Sequence, residues 1–590
     1  MNLLLLLLSL APPAPAAAAP QEAGGVWHPR VEIAWNRYYP YEGLLDIEAR
    51  LAEAWPEFVE LRDIGESWEG RPLRLLVLTD RRTGPAEDKP AMWVDGNVHG
   101  NEVQGGEAAL YLAWWLLEHQ DNPRAKALLE TRTFYVLPSQ NPDGRDHWFD
   151  TAATAHSSRS GVRPYDDDRD GLLDEDPPND LDGDGEITMM RKQVPLGEGT
   201  HRLDPDDPRI LLPADADHPG DWILLGSEGV DDDGDGRINE DDVGGYDMNR
   251  NWPADWQPRY LQYGAGDYPF SFPETAAIGK FLIEHPNVAA VQSFHNAGGM
   301  ILRGPGAEYV KYPRSDVRVY DRLGKEGEAI LPFYRYMVIH ADLYTVHGGF
   351  VTWTYEGLGI FSFTNELWAP QQYYGKDREG SGGWFARNTK DQLQFVDDLL
   401  LGEAYSDWKP YHHPLYGDVE IGGFKRQHGR VAPSFMIEEM CHRNAMFCIR
   451  HAEEIADVSF SRVETEDLGD GLWRVTAVLR NDRTMPSRSA MAAEHEIGAP
   501  DVVRFVGDGV TVLTGGVLRD AFRPERLELP VRRPERILLR SGVPGHGVVR
   551  LSWIVEGAAG APFRLEYEAD KADDTAFEGV LGGTDDAQGD

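Results

Sequence analysis

The chain has 590 residues, too many for one ordinary domain, and its apolar fraction of 41% is enough to build two or three cores. It carries 57 Lys and Arg against 99 Asp and Glu, which gives a net charge of −42. This charge disfavours nucleic acid and anionic membrane surfaces as partners, because both are themselves negatively charged.

The first residues are typical of a leader. A run of leucines from Leu3 to Leu8 is followed by small residues up to Ala19, and the apolar stretch is too short to span a bilayer. The pattern predicts a signal peptide over residues 1–19 and a secreted or periplasmic protein. Because this start contains no Lys or Arg, a disordered Ala/Pro leader is the alternative. The later segments predict no membrane span.

Strands and helices alternate in the next part of the chain. Helices are predicted over 44–54 and 107–117, and strands over 73–78, 91–94 and 133–137. This alternation predicts an α/β fold with a mixed, mostly parallel sheet and helices on both of its faces.

Polar residues follow several of the predicted strands directly. His99 and Glu102 follow the strand 91–94, His295 follows a strand over 288–294, and Glu366 follows a strand over 360–364. The carboxyl ends of strands in an α/β sheet are where ligands bind. A catalytic zinc usually takes three protein ligands. A single His or Glu in such a place is usually structural, but several on one edge indicate a site.

Residues 145–245 form an insertion rich in Asp, Gly and Pro. Three runs in it alternate Asp with other residues ahead of Gly: Asp166, Asp168 and Asp170; Asp180, Asp182 and Asp184; Asp231, Asp233 and Asp235. The spacing resembles the start of a calcium loop. Loop position twelve, where an EF-hand has Glu, holds Pro177, Arg191 and Asp242. A solvated acidic loop is the alternative, and the threefold recurrence favours calcium.

The C-terminal part has a different pattern. A linking helix is predicted over 436–456, and it contains Cys441 and Cys448, which either pair or remain two buried thiols. Short alternating strands without helices then predict a β-sandwich over 457–568. The acidic, Gly-rich residues 569–590 predict a disordered tail.

Four motifs in order resemble those of the zinc metallocarboxypeptidases, the family of pancreatic carboxypeptidase A. They are His99-Gly100-Asn101-Glu102, Asp247-Met248-Asn249-Arg250-Asn251-Trp252, Ser293-Phe294-His295, and Tyr344 followed by Ser362-Phe363-Thr364-Asn365-Glu366. The resemblance covers roughly residues 30–405, so residues 27–435 are expected to form the catalytic domain.

The resemblance assigns a role to each of these residues. His99, Glu102 and His295 are expected to hold zinc, with Glu366 as the general base. Asn249, Arg250 and Tyr344 are expected to bind the substrate's terminal carboxylate, and Val351 to lie at the base of the specificity pocket. The insertion covers the region where the family has a carbonyl-polarising arginine, and Arg191 is the candidate.

The expected function is that of a secreted zinc carboxypeptidase that acts on peptide or protein C-termini and prefers apolar terminal residues. Two alternatives stay open: an amidase on cell-wall peptides or a deacylase with the same fold, and an inactive peptide-binding protein. Asn249, Arg250 and Tyr344 favour a C-terminal amino acid over a small acyl group. His347, His412 and His413 fall outside the motifs and are assigned to structure.

Overall fold

The computed structural model describes residues 28–166, 169–369, 389–520, 522–523, 526–530 and 532–583. The predicted signal peptide, Asp168 and the last residues of the predicted tail, 584–590, lie outside the described residues. Among the helices of the described part, none has both the length and the apolarity needed to cross a membrane.

The first 456 residues contain two sheets and the helices that cover them. The strands are β1 Val59–Glu66, β2 Pro72–Leu78, β3 Ala91–Gly96, β4 Thr133–Leu137, β5 Met189–Gln193, β6 His201–Leu203, β7 Leu211–Pro213, β8 Trp222–Ser227, β9 Val288–Asn296, β10 Met300–Arg303, β11 Arg335–Val338, β12 Phe361–Leu367, β13 Tyr405–His413 and β14 Gly417–Phe424. The helices are α1 Tyr41–Ala54, α2 Gln104–Glu118, α3 Pro123–Thr131, α4 Pro142–Asp150, α5 Pro273–Glu284, α6 Arg314–Ile330, α7 Phe350–Leu358, α8 Thr389–Leu399 and α9 Ile437–Glu453.

The larger sheet has eight strands in the order β1-β2-β4-β3-β9-β12-β10-β11. Its centre, β4-β3-β9-β12, is parallel throughout. The pairs β1–β2, β2–β4 and β10–β12 are antiparallel, and β10 pairs parallel with β11. Successive side chains of β3 point to opposite faces. Val94 joins one core cluster with Leu110 of α2, and Trp93 joins the other with Phe281 of α5. The predicted mixed sheet with helices on both faces is therefore confirmed.

The Asp-rich insertion contributes a second sheet. Its strands β5 to β8 combine with the hairpin β13–β14 into six antiparallel strands, in the order β13-β14-β5-β8-β6-β7. Sequence reasoning predicted no strands here, because they are short and only partly buried. Their partner hairpin lies about 200 residues further along the chain, where local patterns carry no information about it.

The C-terminal part is a sandwich of two antiparallel sheets. Its elements are β15 Val458–Gly469, β16 Leu472–Asn481, α10 Ala490–Glu494, β17 Asp501–Gly507, β18 Thr511–Leu518, β19 Leu527–Glu528, β20 Arg536–Leu539, β21 Gly547–Glu556, β22 Pro562–Glu568 and β23 Thr575–Val580. The sheet orders are β15-β16-β21-β18-β19 and β20-β17-β22-β23. One core joins them, with the rings of Phe505 and Trp553 5.6 Å apart.

Strand β23 corrects the prediction of a disordered tail from residue 569. Phe577 pairs with Leu565 of β22, and its ring lies 6.3 Å from that of Phe563. The strand alternates partly buried with exposed side chains and needs only the free edge of a neighbouring sheet to form. The prediction of disorder rested on the acidic, Gly-rich composition of residues 569–590, which carries no information about an available strand edge elsewhere in the fold.

Polar contacts, one of them to a buried carboxylate, join the sandwich to the domain that contains the eight-stranded sheet. Asp316 of α6 is 1% exposed and accepts hydrogen bonds from the amides of Ala490 and Met491, both at 3.0 Å. Lys571 donates to the carbonyls of Pro286 and Val288 at 2.8 and 2.6 Å, at the start of β9. The sandwich thus contacts the strand that carries His295.

The two cysteines are free, buried thiols. They lie seven residues apart on α9, which separates them by about 10 Å along the helix axis. A disulfide requires Cα atoms within roughly 7 Å of each other. Of the two alternatives, the structure therefore selects buried thiols.

Candidate active site

The predicted metal ligands lie together at the carboxyl ends of two neighbouring parallel strands. His99 and Glu102 follow β3, and His295 is near the end of β9. The Nδ1 atoms of His99 and His295 lie 3.0 and 2.9 Å from the two oxygens of Glu102. All three residues are 2% exposed.

A tight turn between β3 and α2 brings the side chains of His99 and Glu102 together. Asn97 has a left-handed backbone, with φ at 59°, and its side-chain amide donates to the carbonyls of His99 and Gly100 at 2.7 and 3.0 Å. A Cβ on Gly96 would lie 2.4 Å from the backbone of Gly105, so only glycine allows this close approach of strand and helix.

The donor set fits zinc. His99 Nδ1 is buried without a hydrogen-bond partner, although it faces a carboxylate. Burial opposes the charge on Glu102, but the adjacent His99 and His295 hold the pKa of Glu102 well below its ordinary value. Two imidazoles and one ionised carboxylate are a common ligand set of catalytic zinc, and these groups are close enough to share one ion.

Asp247 orients His99. Its Oδ1 lies 2.9 Å from His99 Nε2, so that nitrogen carries the proton and Nδ1 keeps the lone pair for a metal. Burial disfavours the charge of Asp247, but Arg250, His99 and Arg159 keep its pKa well below the ordinary value. Sequence reasoning included Asp247 in a motif but gave it no role.

We expect Asp247→Asn to weaken zinc binding about 10–100-fold, because the amide lacks the charge that favours the required tautomer. The measurement is zinc retention in competition with a chelator. Asp267→Asn is the control, since the Asp267 side chain is 66% exposed and lies outside the ligand set. Equal zinc affinity of Asp247→Asn and wild type would show that Asp247 does not orient the ligand.

The predicted substrate-binding residues line the same cavity as the ligands. This cavity has a volume of about 230 Å³ and contains Asn249, Arg250, Tyr344 and Val351 in its wall. Asn249 accepts from the amide of Phe350 at 2.8 Å, which fixes the turn that carries Arg250. Tyr344 is 58% exposed at the cavity mouth.

One side of the cavity is apolar. Its wall there consists of Met300, Leu302, Ile339, Leu343, Val346, Phe350 and Val351. Among the described residues that line the cavity, the carboxylates are those of Glu102 and Glu366. The apolar side therefore offers no acidic partner for a cationic side chain.

Glu366 lies beside the ligand set. It is paired in register with His295 across β12 and β9, so the two side chains leave the same edge of the sheet. Burial and the neighbouring Glu102 carboxylate raise the pKa of Glu366 to about 7. A carboxylate with a raised pKa beside a metal site is suited to accept and return a proton.

The prediction for Arg191 is wrong. Arg191 lies on β5 of the second sheet, where its Nε donates to Glu420 at 2.8 Å. Its guanidinium lies 4.6 and 4.2 Å from the ring centres of Trp222 and Trp408. The buried ion pair and the two cation–π contacts give Arg191 a structural role outside the cavity.

Two other arginines line the cavity, and sequence reasoning missed both. Arg159 donates to Asp247 at 3.1 Å and lies 3.3 Å from Glu102. Arg430 donates to the carbonyl of Asn296 at 2.9 Å, directly after His295 in the chain. Both stand in irregular segments with no strand or helix pattern to predict their direction.

The acidic runs of the insertion lie outside the cavity lining. Asp166 accepts from the amide of Arg169, and Asp184 accepts from Ser406. The remaining described acids of these runs form close groups: Asp170 with Glu175 and Asp233; Asp180 and Asp182 with Glu228; Asp231 and Asp233 with Asp235.

The three other histidines that invited a metal interpretation have partners elsewhere. His347 contacts Asp255, His412 contacts Asp418, and His413 bonds to the carbonyl of Gly229.

Parts of this chain are similar to known carboxypeptidases. Residues 45–170 and 226–379 match the family model described as zinc carboxypeptidase. Mouse carboxypeptidase Z is 34% identical over 109 residues, which are 18% of this chain and 17% of that protein. The Arabidopsis thaliana carboxypeptidase SOL1 is 40% identical over 85 residues, 14% of this chain and 17% of that protein. The chain therefore spans about a sixth of the length of these relatives.

A solved structure and a second family model also match parts of the chain. The crystal structure of carboxypeptidase A from Helicoverpa armigera matches with a TM-score of 0.42 and 18% identity, over 71% of this chain and 74% of that chain. Residues 457–578 match a domain of unknown function (DUF8731). The segments 45–170 and 226–379, which match the zinc carboxypeptidase model, contain the three candidate ligands and Glu366.

Proposed function

We propose that this protein is a secreted zinc carboxypeptidase that removes apolar residues from peptide C-termini. The observation that carries the proposal is one cavity lined by His99, Glu102 and His295 together with Glu366 and Arg250. A metal site, a proton acceptor and a cation for the substrate's end are the parts that such a hydrolysis needs.

Two residues of the chain have separate roles in the hydrolysis. Glu366 takes a proton from the attacking water and passes it to the departing amine. Arg159 faces the same cavity and polarises the scissile carbonyl as negative charge develops on it. Zinc, when bound, supplies Lewis-acid polarisation and lowers the pKa of a bound water to about 7.

Arg250 supports action at a chain end. Arg250 is 8% exposed and lines the cavity together with Asn249. A substrate carboxylate would therefore meet a cation and an amide donor in a site that is largely shielded from water. A hydrogen bond to a charged group of this kind contributes about 1.5–3 kcal/mol. A peptide with an amidated C-terminus forfeits this contribution.

The apolar wall around Val351 supports a preference for apolar terminal side chains. A Lys or Arg side chain there would be a buried and unpaired cation, at an effective cost of several kcal/mol. Since about 1.4 kcal/mol is tenfold in an equilibrium constant, we expect kcat/KM for a C-terminal Phe to exceed that for Lys by more than about tenfold.

The experiment is a panel of peptides that end in Phe, Leu, Lys or Glu, each as a free acid and as an amide, with and without a zinc chelator. We expect free acids ending in Phe and Leu to be cleaved, amides to resist, and added zinc to restore the chelated protein. Faster cleavage of Lys than Phe would contradict the apolar preference. Equal cleavage of amides would contradict the carboxypeptidase itself.

Two further parts of the proposal are secretion and calcium. The leader at residues 1–19 supports export, and N-terminal sequencing of the mature protein tests its removal. The acidic runs of the insertion support calcium as a second cation, since calcium prefers carboxylate oxygens.

A further inference from the structure

The first and third acidic loops pack against each other as a matched pair. Each has Asp at alternate positions ahead of Gly, followed by a Glu-Asp pair, which is Glu175-Asp176 in one loop and Glu240-Asp241 in the other. An antiparallel bridge joins Asp176 to Asp241. The amide of Asp232 donates to Asp176 Oδ1 at 3.3 Å, so each loop reaches into the other.

Carboxylates from both loops converge at this junction. Asp233 lies within 4.8 Å of Glu175 in one group and of Asp176 and Glu240 in another. Asp176 is fully buried, and its Oδ2 has no hydrogen-bond partner. One oxygen of Glu175 and both oxygens of Glu240 are also shielded from water without a partner.

Such an arrangement is unfavourable without a cation. An unpaired buried carboxylate oxygen costs its desolvation energy, and adjacent carboxylates repel each other. Burial and the neighbouring Asp176 raise the pKa of Glu240 to about 7, because both make the charged form of Glu240 less favourable. A hard divalent ion that prefers oxygen ligands would give the unpartnered oxygens of Asp176 and Glu240, which lie close together with Asp233, a common partner.

The middle loop differs, although its sequence spacing is the same. Asp180 accepts from the amides of Gly183 and Gly185, as Asp231 of the third loop does from those of Gly234 and Gly236, so the difference lies in the acids that follow. Asp182 lies 3.4 Å from the ammonium of Lys409, and Asp184 accepts from Ser406. These acids have protein partners, and each is partly or fully exposed.

We propose that Asp176, Asp233 and Glu240 hold one calcium-type divalent cation that joins the first acidic loop to the third. The inference deepens the calcium part of the proposed function, because it replaces three equal loops with a single shared site. It does not depend on peptidase activity.

The site lies between two chain segments that lead to the active site. Arg159 is a few residues before the first loop, and Asp247, Asn249 and Arg250 are a few residues after the third. Beyond the cation site the segments stay in contact, since Ser160 donates to the carbonyl of Tyr246. A cation there would hold Arg159 and Arg250 in place from outside the cavity.

The test uses the full-length, zinc-loaded protein and calcium chloride, with calorimetric titration and thermal melting as readouts. We expect wild type to bind calcium and to melt at higher temperature in its presence. Glu240→Gln and Asp176→Asn should each weaken calcium binding at least tenfold. Asp182→Asn in the middle loop and the exposed Asp217→Asn should leave it unchanged.

A reversal of stability separates a cation ligand from an ordinary structural residue. In calcium-free buffer Glu240→Gln should melt at or above wild type, because one repulsive charge is gone, and in saturating calcium it should melt below wild type. Absence of calcium binding by wild type, unchanged binding by both variants, loss of binding in Asp182→Asn, or a lower melting temperature of Glu240→Gln in both buffers would each overturn the proposal. Neither readout requires peptide hydrolysis, so failure here and failure of the proposed function remain distinct.

Discussion

Glu366→Gln is expected to keep zinc and to bind peptide, while kcat falls by about 10²–10⁴-fold. Gln has the size and polarity of Glu but cannot accept a proton from water. The three ligands His99, Glu102 and His295 do not include Glu366, so zinc content should stay at the wild-type level. Single-turnover kinetics and metal analysis on the same sample measure both quantities.

Glu356→Gln is the matched control for this change. Glu356 is a partly buried glutamate of α7 that accepts from Tyr312 at 2.9 Å and does not line the cavity. Its substitution should leave kcat near that of wild type. If Glu366→Gln loses zinc, the ligand set is wrong, and if it keeps full activity, another residue is the base.

Arg159→Ala is expected to lower kcat by about 10²–10³-fold, the range for loss of one donor to a developing oxyanion. Arg191→Ala should leave kcat unchanged and lower the melting temperature. Removal of Arg191 takes away the ion-pair partner of Glu420 and the cation that contacts the indoles of Trp222 and Trp408, and none of these groups lines the cavity.

Zinc content must be measured for both variants, because Arg159 lies 3.3 Å from the ligand Glu102. Rates are therefore compared per zinc-loaded protein. The assignment of Arg159 fails if its alanine variant turns over at the wild-type rate. A large loss of kcat in Arg191→Ala at full zinc content would return the role to Arg191.

The sequence predicted the positions of the metal ligands and of Glu366 better than those of the arginines. His99, His295 and Glu366 each follow an apolar run, and parallel strands end at the same edge, so their convergence was predictable. Arg159 stands in an irregular segment with no periodicity to give its direction. Arg191 follows Met189 and Met190, whose apolar character builds β5 of a different sheet.

Other features depended on partners remote in sequence. The insertion's strands pair with the hairpin β13–β14, and β23 uses the edge of β22, so neither could be predicted from local patterns. The roles of Asn249, Arg250 and Tyr344 came from family resemblance, because no period or spacing assigns a carboxylate-binding role. The structure places all three in one cavity wall.

The buried contacts between the catalytic domain and the sandwich bear on how the two were inherited. Asp316 has its two backbone donors on the sandwich side, and Lys571 of that side donates to the carbonyls of Pro286 and of Val288, the first residue of β9. A recombination event that exchanged the sandwich for an unrelated module would remove both amide donors of the Asp316 carboxylate and leave it only the hydroxyls of Ser315 and Tyr355. The two domains are therefore expected to have diverged as one unit, with compensating changes on both sides of the boundary.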